Sequence, residues 1–457
     1  MSILDRLRGG FSRTFWVANV LELFERLAYY SSHAVLAVYI AEQVRLGPEA
    51  AGWLAGSVFN TLLYFLPLLA GTVVDRYGFK RSLLACFGIF SLGYFLIGLG
   101  GLPLGAPLVS AVGARTWMLI ALVVTAIGGS LIKPSVVGTV ARTTNEDTKA
   151  LGYSIYYTLV NIGGFAGPFL AMAVRLNVGI SYVLVVSSLT SLLLFTLTAI
   201  FYREPPRPSQ APAAPSLRRV LAGMLALLFS PLILLWHAAG TRFGPADARE
   251  RRRLLLGRQD APARFLLFLV IFSGFWAMFW HVFYALPFYV KDYLRFGRFE
   301  IIETVDAMTI ILITIPATAV AKRLEPLAAM VVGFVLATAS WFIMGTVATI
   351  AGAVAAMMVF AVGEATQSPR FYEYVAALAP PEQVGTYMGF AFLPIAIGTF
   401  VAGWSSGYLV THYVQGGNPA APRMWFVVGS YGVVSTVLMV LYDRFVAPKR
   451  APAAAAA

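Results

Sequence analysis

Long apolar stretches, parted by short polar or glycine- and proline-containing breaks, recur along the whole chain. Counted at about twenty residues each, the length that crosses the hydrocarbon of a bilayer, they number twelve. Six lie in the first half, at 15–43, 51–74, 82–103, 116–141, 151–174 and 179–202. Six more follow at 264–290, 301–321, 326–347, 351–378, 385–411 and 422–446. In lipid a spanning segment must satisfy its own backbone polar groups, so the pattern predicts an all-α membrane protein. Between the two sets lies a proline- and arginine-rich segment, 203–263, holding one further apolar stretch, "VLAGMLALLFSPLILLW", at 220–236. Pro231 interrupts it and arginines bracket it, which fits a helix lying along the membrane surface. A single crossing there would turn the run "RERRRLLLGR" outward and invert every later loop. A pair of short spans stays open.

Composition agrees with the pattern. The 457 residues are 59% hydrophobic and 12% charged, with mean hydropathy +0.76, whereas a soluble domain carries about a quarter charged residues. The net charge of +13 would suit nucleic acid in a soluble protein. Here most of the 34 Lys and Arg collect in alternate loops and the linker, which places both termini in the cytoplasm and predicts no nucleic-acid partner. The basic amino terminus leads into the first stretch with no small-residue cleavage site, predicting a retained first span. One cysteine, Cys86, leaves no intrachain disulfide, and four scattered histidines show no metal-ligand spacing. No nucleophile–base pair or phosphate-cradling loop is present. The chain is therefore expected to be no enzyme, with no metal and no cofactor.

Six spans, a long basic loop and six more is the layout of a two-repeat carrier. The expected units are 1–202 (a six-helix bundle), 203–263 (a cytoplasmic linker with the surface helix) and 264–457 (a second bundle with a short tail). One internal echo supports the repeat: "GGSLIKPSVVG" in the fourth span and "GEATQSPRFYE" in the tenth share the spacing from Gly128 to Pro134 and from Gly363 to Pro369.

The first span carries charges that an apolar helix would lack. A charge at the bilayer centre costs about 2.5–3.5 kcal/mol on insertion scales, so ionisable residues there face protein or a water-filled cavity. In "VLELFERLAYYSSHAV", Glu22, Glu25, Arg26, Tyr29, Tyr30 and His33 fall within roughly 140° of helical arc. Glu22 and Arg26 stand four apart, within ion-pair reach. Two acids share one base, and Lys133 in the fourth span balances the set. Protonating one glutamate, or bringing in an anionic group, would free a partner to re-pair, as a proton-coupled carrier requires. In the tenth span Glu364, one turn from the position matching Lys133, would face it across a midplane cavity suited to a zwitterion. Arg370 and Glu373 suit a structural pair near the inner end.

These residues resemble a known family. "ELFERLAYY" resembles the ExxERFxYY signature of the proton-dependent oligopeptide transporters, a branch of the major facilitator superfamily. "GTVVDRYGFKR" at 71–81 is similar to the superfamily's loop between its second and third helices, and "LIKP" at 131–134 to the family's helix-four lysine. "YYTLVNIGG" at 156–164 resembles FYxxINxGS, and "YFLP" at 64–67 its helix-two tyrosine and proline. "GEATQSP" and "LAPPE", at 363–369 and 378–382, resemble the helix-ten motif and the loop after it. The chain is identified as a divergent member. The resemblance implies the twelve-helix major facilitator fold, two six-helix bundles with both termini cytoplasmic, in the inner cell membrane.

It also implies roles. Glu22, Glu25, Arg26 and Lys133 would couple protons, and Lys133 would also meet a substrate carboxylate. Tyr29, Tyr30, Tyr64, Tyr157 and Asn161 would line the pocket, and Glu364 would receive a substrate amino group. Asp75 and Arg76 would act as gate residues. The sequence departs from the family at several places. His33 stands where a second arginine is usual, and "WAMFWH" puts Trp280 and His281 where a Glu-Gln pair is common; both histidines are carried into the substrate-binding set. "TVDAMTI" offers Asp306 where Asn-Pro is frequent, and "MGFAFLP" lacks a tryptophan. The expected function is proton-coupled import of di- or tripeptides, or a related small zwitterionic or anionic solute, by a monomer in the bilayer. A proton-linked exporter of drugs or metabolites, and a non-transporting receptor on the same fold, stay open.

Overall fold

The computed structural model describes residues 10–145, 147–206, 222, 225, 246–379 and 384–447. The stretch at 220–236, apart from two positions, lies outside the described residues. Among those described, the secondary structure is helical and contains no strand. In chain order the long elements are α1 (Arg13–Val38), α2 (Gly47–Phe65 continuing as Pro67–Tyr77), α3 (Phe79–Leu99), α4 (Ala114–Thr143), α5 (Lys149–Asn177) and α6 (Ile180–Phe201). There follow α7 (Ala246–Tyr284), α8 (Glu300–Ala321), α9 (Pro326–Thr346), α10 (Ile350–Leu378), α11 (Tyr387–Gly417) and α12 (Ala421–Phe445). Ten of these helices are long and apolar enough to cross a membrane, and α2 is an eleventh if its two parts, bent by 40°, count as one span. α1 is long enough at 26 residues but too charged to join that set.

Local chemistry explains the ends and breaks. Ser12 caps α1, its Oγ accepting from the Phe15 amide at 3.2 Å. The bend in α2 falls at Pro67, which has no N–H to give the preceding turn. α4 is interrupted between Gly129 and Ile132, where Pro134 leaves the Ser130 carbonyl without its helical donor. α7 runs as one helix from Ala246, so helical structure begins well before residue 264. A short helix over Ala106–Val112, which hydropathy did not indicate, precedes α4.

α1 packs on α5 and α6, and α3 on α4 and α6, while α9 packs on α10 and α12, and α7 on α11 and α12. The first set of helices meets the second mainly through α2 against α11, α5 against α8, and α1 against α7. Three of these seams lie at the end of the bundle where α1 finishes. Between α2 and α11 the backbones nearly touch: a Cβ on Gly56 would lie 2.4 Å from the Gly403 Cα. Ser57 Oγ donates to the Phe400 carbonyl at 2.7 Å beside this contact. Between α5 and α8, Arg175 grips Glu300 with Nε and Nη2 at 2.5 and 2.9 Å and donates to the Gly297 carbonyl at 2.7 Å. Beyond the ends of α1 and α7, Lys291 pairs with Glu42, and Asp292 lies 3.3 Å from the same ammonium. Backbone contact and ion pairs together seal this end.

Gly403→Val should unseat the seam, because a Cβ there would sit 2.3 Å from the Ser57 nitrogen. Overpacking of this kind costs about 1–3 kcal/mol. A maleimide probe should then label a cysteine placed at Thr399, fully buried in the parent, with the buried Cys86 silent in both.

Candidate functional site

α1 delivers its ionisable stripe into the interior of the bundle. Glu22, Glu25 and Arg26 are 0, 2 and 4% exposed. Arg26 holds Glu25 in a two-point grip, Nε to Oε2 at 2.5 Å and Nη2 to Oε1 at 2.7 Å, and lies 3.5 Å from Glu22. Its guanidinium also covers the Tyr29 ring at 4.5 Å, which keeps the cation on the stripe. Lys133 arrives from the break in α4. Its Nζ lies 3.3 Å from Glu22 Oε1 and donates to the Tyr156 hydroxyl at 2.9 Å. That hydroxyl in turn donates to Glu22 Oε1 at 3.2 Å. Two carboxylates and two cations thus close a neutral network across α1, α4 and α5, while Glu22 Oε2 is buried with no hydrogen-bond partner. In a low dielectric such charges hold each other strongly, and removing one leaves the rest uncompensated.

Two clefts open beside α1, one of them on the network. One, of about 310 Å³, is lined by Arg26, Lys133, Tyr29, Tyr64, Pro67 and Phe392, among others. The second, of about 460 Å³, lies between the two sets of helices and carries Tyr30 and Asn161 from one, Phe279, Glu303, Asp306 and Glu364 from the other. The first holds the cations; the second is lined by carboxylates alone among charged groups. Tyr29 and Tyr30, adjacent on α1 with rings 5.2 Å apart, face one cleft each. Lys133 and Glu364 therefore contribute to neighbouring clefts, and the lysine's ionic partner is Glu22.

Tyr29 and Tyr64 share a hydroxyl contact at 3.2 Å. Asn161 Nδ2 donates to the Tyr157 carbonyl at 2.8 Å, and Tyr157 is 45% exposed. Within the "YYTLVNIGG" run it is Tyr156, one residue earlier, that reaches Glu22 and Lys133; neighbouring helical residues point about 100° apart. His33 is buried against Tyr29, with ring centroids 3.8 Å apart. Its Nδ1 donates to the Tyr29 carbonyl at 3.0 Å and its Nε2 faces the Asn60 side chain at 2.9 Å. Asn60 continues to the Tyr284 hydroxyl on α7, so His33 starts a polar chain between helices and lines neither cleft. His281 is turned away, its Nδ1 on the Ala277 carbonyl at 2.6 Å and its Nε2 3.2 Å from Ser405 Oγ. Asp75 approaches Arg142 at 4.0 Å and Arg76 stands over the Tyr77 ring, and neither lines a cleft. Arg370 pairs with Glu373 and donates to the Leu324 carbonyl. Among the described residues no group of three or more His, Cys, Asp or Glu is placed to hold a metal ion.

The model of the Major Facilitator Superfamily matches residues 20–403. The chain belongs to that superfamily. Dipeptide and tripeptide permease B of Aliivibrio fischeri (strain MJ11) is 25% identical over 180 residues, 39% of this chain and 34% of the permease. That match spans about a third of the relative's length. Dipeptide and tripeptide permease A of Edwardsiella piscicida is 24% identical over 476 residues, covering 94% of this chain and 93% of the permease. A solved structure of a POT family transporter in complex with 5-aminolevulinic acid superposes with TM-score 0.74 at 17% identity, over 96% of this chain and 98% of that one. Within the superfamily the chain is similar to dipeptide and tripeptide permeases and, in fold, to a POT family transporter.

Lys133→Ala leaves Glu22 facing Arg26 alone. Breaking a buried pair costs about 3–5 kcal/mol, read as a fall in the unfolding midpoint of the purified protein. Adding Glu22→Gln should recover most of that fall, because a neutral side chain needs no cation. A double variant no more stable than Lys133→Ala would show that the two are not paired.

Proposed function

We propose that the protein is a proton-coupled symporter that imports di- or tripeptides, or a related small zwitterionic or anionic solute, by alternating access. The observation that carries this reading is the pair of adjoining clefts of opposite charge, Arg26 and Lys133 in one, Glu364 with its neighbours in the other. A solute with a carboxylate at one end and an ammonium at the other bridges them. The permeases above support a peptide-like cargo, since their names give dipeptides and tripeptides.

In this reading twelve helices span the cell membrane with both termini cytoplasmic. Residues 1–202 and 264–457 form the two rocking halves, and 203–263 the inner linker. The sealed end is the outer one. Arg175–Glu300 and Lys291–Glu42 latch it, and Asp75 and Arg76 serve the inner gate. A proton arriving at the unpartnered Glu22 oxygen removes the charge that holds Lys133. The lysine is then free for the substrate carboxylate, and loss of the proton draws it back and favours release. Glu25 and Arg26 complete the coupling group. Tyr29, Tyr30, Tyr64, Tyr157 and Asn161 contact the substrate, and Glu364 receives its amino group. His33 and His281 are left outside that set, each being held by its neighbours away from both clefts.

Uptake of labelled dialanine into liposomes holding the purified protein, under an inward proton gradient, tests the reading. Gradient-dependent uptake by the parent, reduced at least about tenfold in both Glu22→Gln and Lys133→Ala, is the expected result. A folded parent that moves no dialanine would overturn the peptide assignment.

A further inference from the structure

The second cleft is more acidic than a zwitterion needs. One carboxylate, Glu364, is enough to receive a substrate ammonium, yet α8 adds two more. Glu303 and Asp306 stand three residues apart, about 4.5 Å along the helix axis, and line the cleft on the same face as Ala307 and Ile310. Glu303 is 5% exposed and both its carboxylate oxygens lack a hydrogen-bond partner; Asp306 is 9% exposed and its Oδ1 lacks one as well. Glu364 Oε2 is in the same condition. The nearby cations are spoken for: Lys133 and Arg26 lie on Glu22 and Glu25, and Arg175 grips Glu300, one turn from Glu303. Buried carboxylates without donors are costly unless a ligand or a proton supplies what the protein does not.

Geometry narrows the ligand. The three acids do not converge as a metal site, so the cleft suits an extended cation better than a point charge. Phe279 and Phe283 line the same space, offering apolar contact and ring faces to an alkyl chain ending in ammonium or guanidinium. We propose that Glu303 and Asp306 form a subsite for a second cationic group of the substrate, beside Glu364. The preferred cargo is then a peptide with a basic side chain. The proposal rests on the peptide-transport reading for the class of its ligand, but not for the existence of the cationic site.

The test measures binding by the full-length purified protein, following the rise in unfolding temperature with ligand concentration. Four probes are compared: dialanine, alanyl-lysine, alanyl-glutamate and 1,5-diaminopentane. Alanyl-lysine is expected to bind at least about tenfold more tightly than dialanine, with alanyl-glutamate weakest. Glu303→Gln and Asp306→Asn should each bring the alanyl-lysine to dialanine ratio down toward one. Equal binding of dialanine and alanyl-lysine by the parent would overturn the subsite and leave the peptide reading standing. A preference present in the parent but unchanged in both variants would overturn its assignment to these two residues. Binding of the diamine, lost in the variants, without binding of any dipeptide would support the subsite and overturn the peptide reading. Binding of no probe by folded parent protein would overturn both. The comparison of probes on the parent does not depend on either variant folding.

Discussion

A carboxylate in the hydrocarbon of a bilayer must find a cation or take a proton, and Glu22 is placed to do either. Lys133 reaches one of its oxygens at 3.3 Å while the other has no partner. Much of the first half of the structure follows from that requirement. α4 is broken beside Pro134 just where the lysine leaves it, α5 supplies the Tyr156 hydroxyl to both charged groups, and Arg26 is occupied by Glu25. α1 can lie inside an apolar bundle because its charges are neutralised within the protein. Under the proposed function a proton on Glu22 would shift this network toward a second arrangement in which Lys133 is released.

The same constraint separates the two clefts. Arg26 and Lys133 line the first cleft and Glu303, Asp306 and Glu364 the second, an arrangement that the proposed dipolar solute would bridge. The seams at the far end have a different character. Gly56 against Gly403 is a backbone contact, whereas Arg175–Glu300 and Lys291–Glu42 are ion pairs near the helix ends. Arg175–Glu300 is largely buried, whereas Lys291–Glu42 is more exposed and so the weaker kind of pair.

Much of this was legible in the sequence. Hydropathy located the helices because a spanning segment has few alternatives. The charged stripe identified Glu22, Glu25, Arg26 and Lys133 because burying charge is expensive enough to be deliberate. That Tyr156 reaches Glu22 and Lys133 is seen only in the structure, since the motif carries Tyr157 as the pocket residue. Glu303 sits near the start of a span, where an acid is ordinary in a sequence, and only tertiary packing shows it to be buried. His33 and His281 stand at positions the family resemblance marks as pocket residues, and in the structure neither lines a cleft, His33 stacking on Tyr29 and His281 facing Ser405. The seams depend on helix pairing between distant segments, which a single sequence does not display. Asn60 and Tyr284 likewise meet only once α2 and α7 are side by side.

Under the proposed function Glu22 links a proton to substrate movement rather than serving only to hold helices together. Comparing gradient-driven accumulation with counterflow exchange in liposomes, for the parent and Glu22→Gln, tests it most directly, because counterflow needs the carrier to cycle but needs no net proton transfer. On the proposed coupling, Glu22→Gln is expected to retain counterflow of dialanine and to lose accumulation against a gradient. Loss of both together in a folded variant, or retention of both, would contradict it.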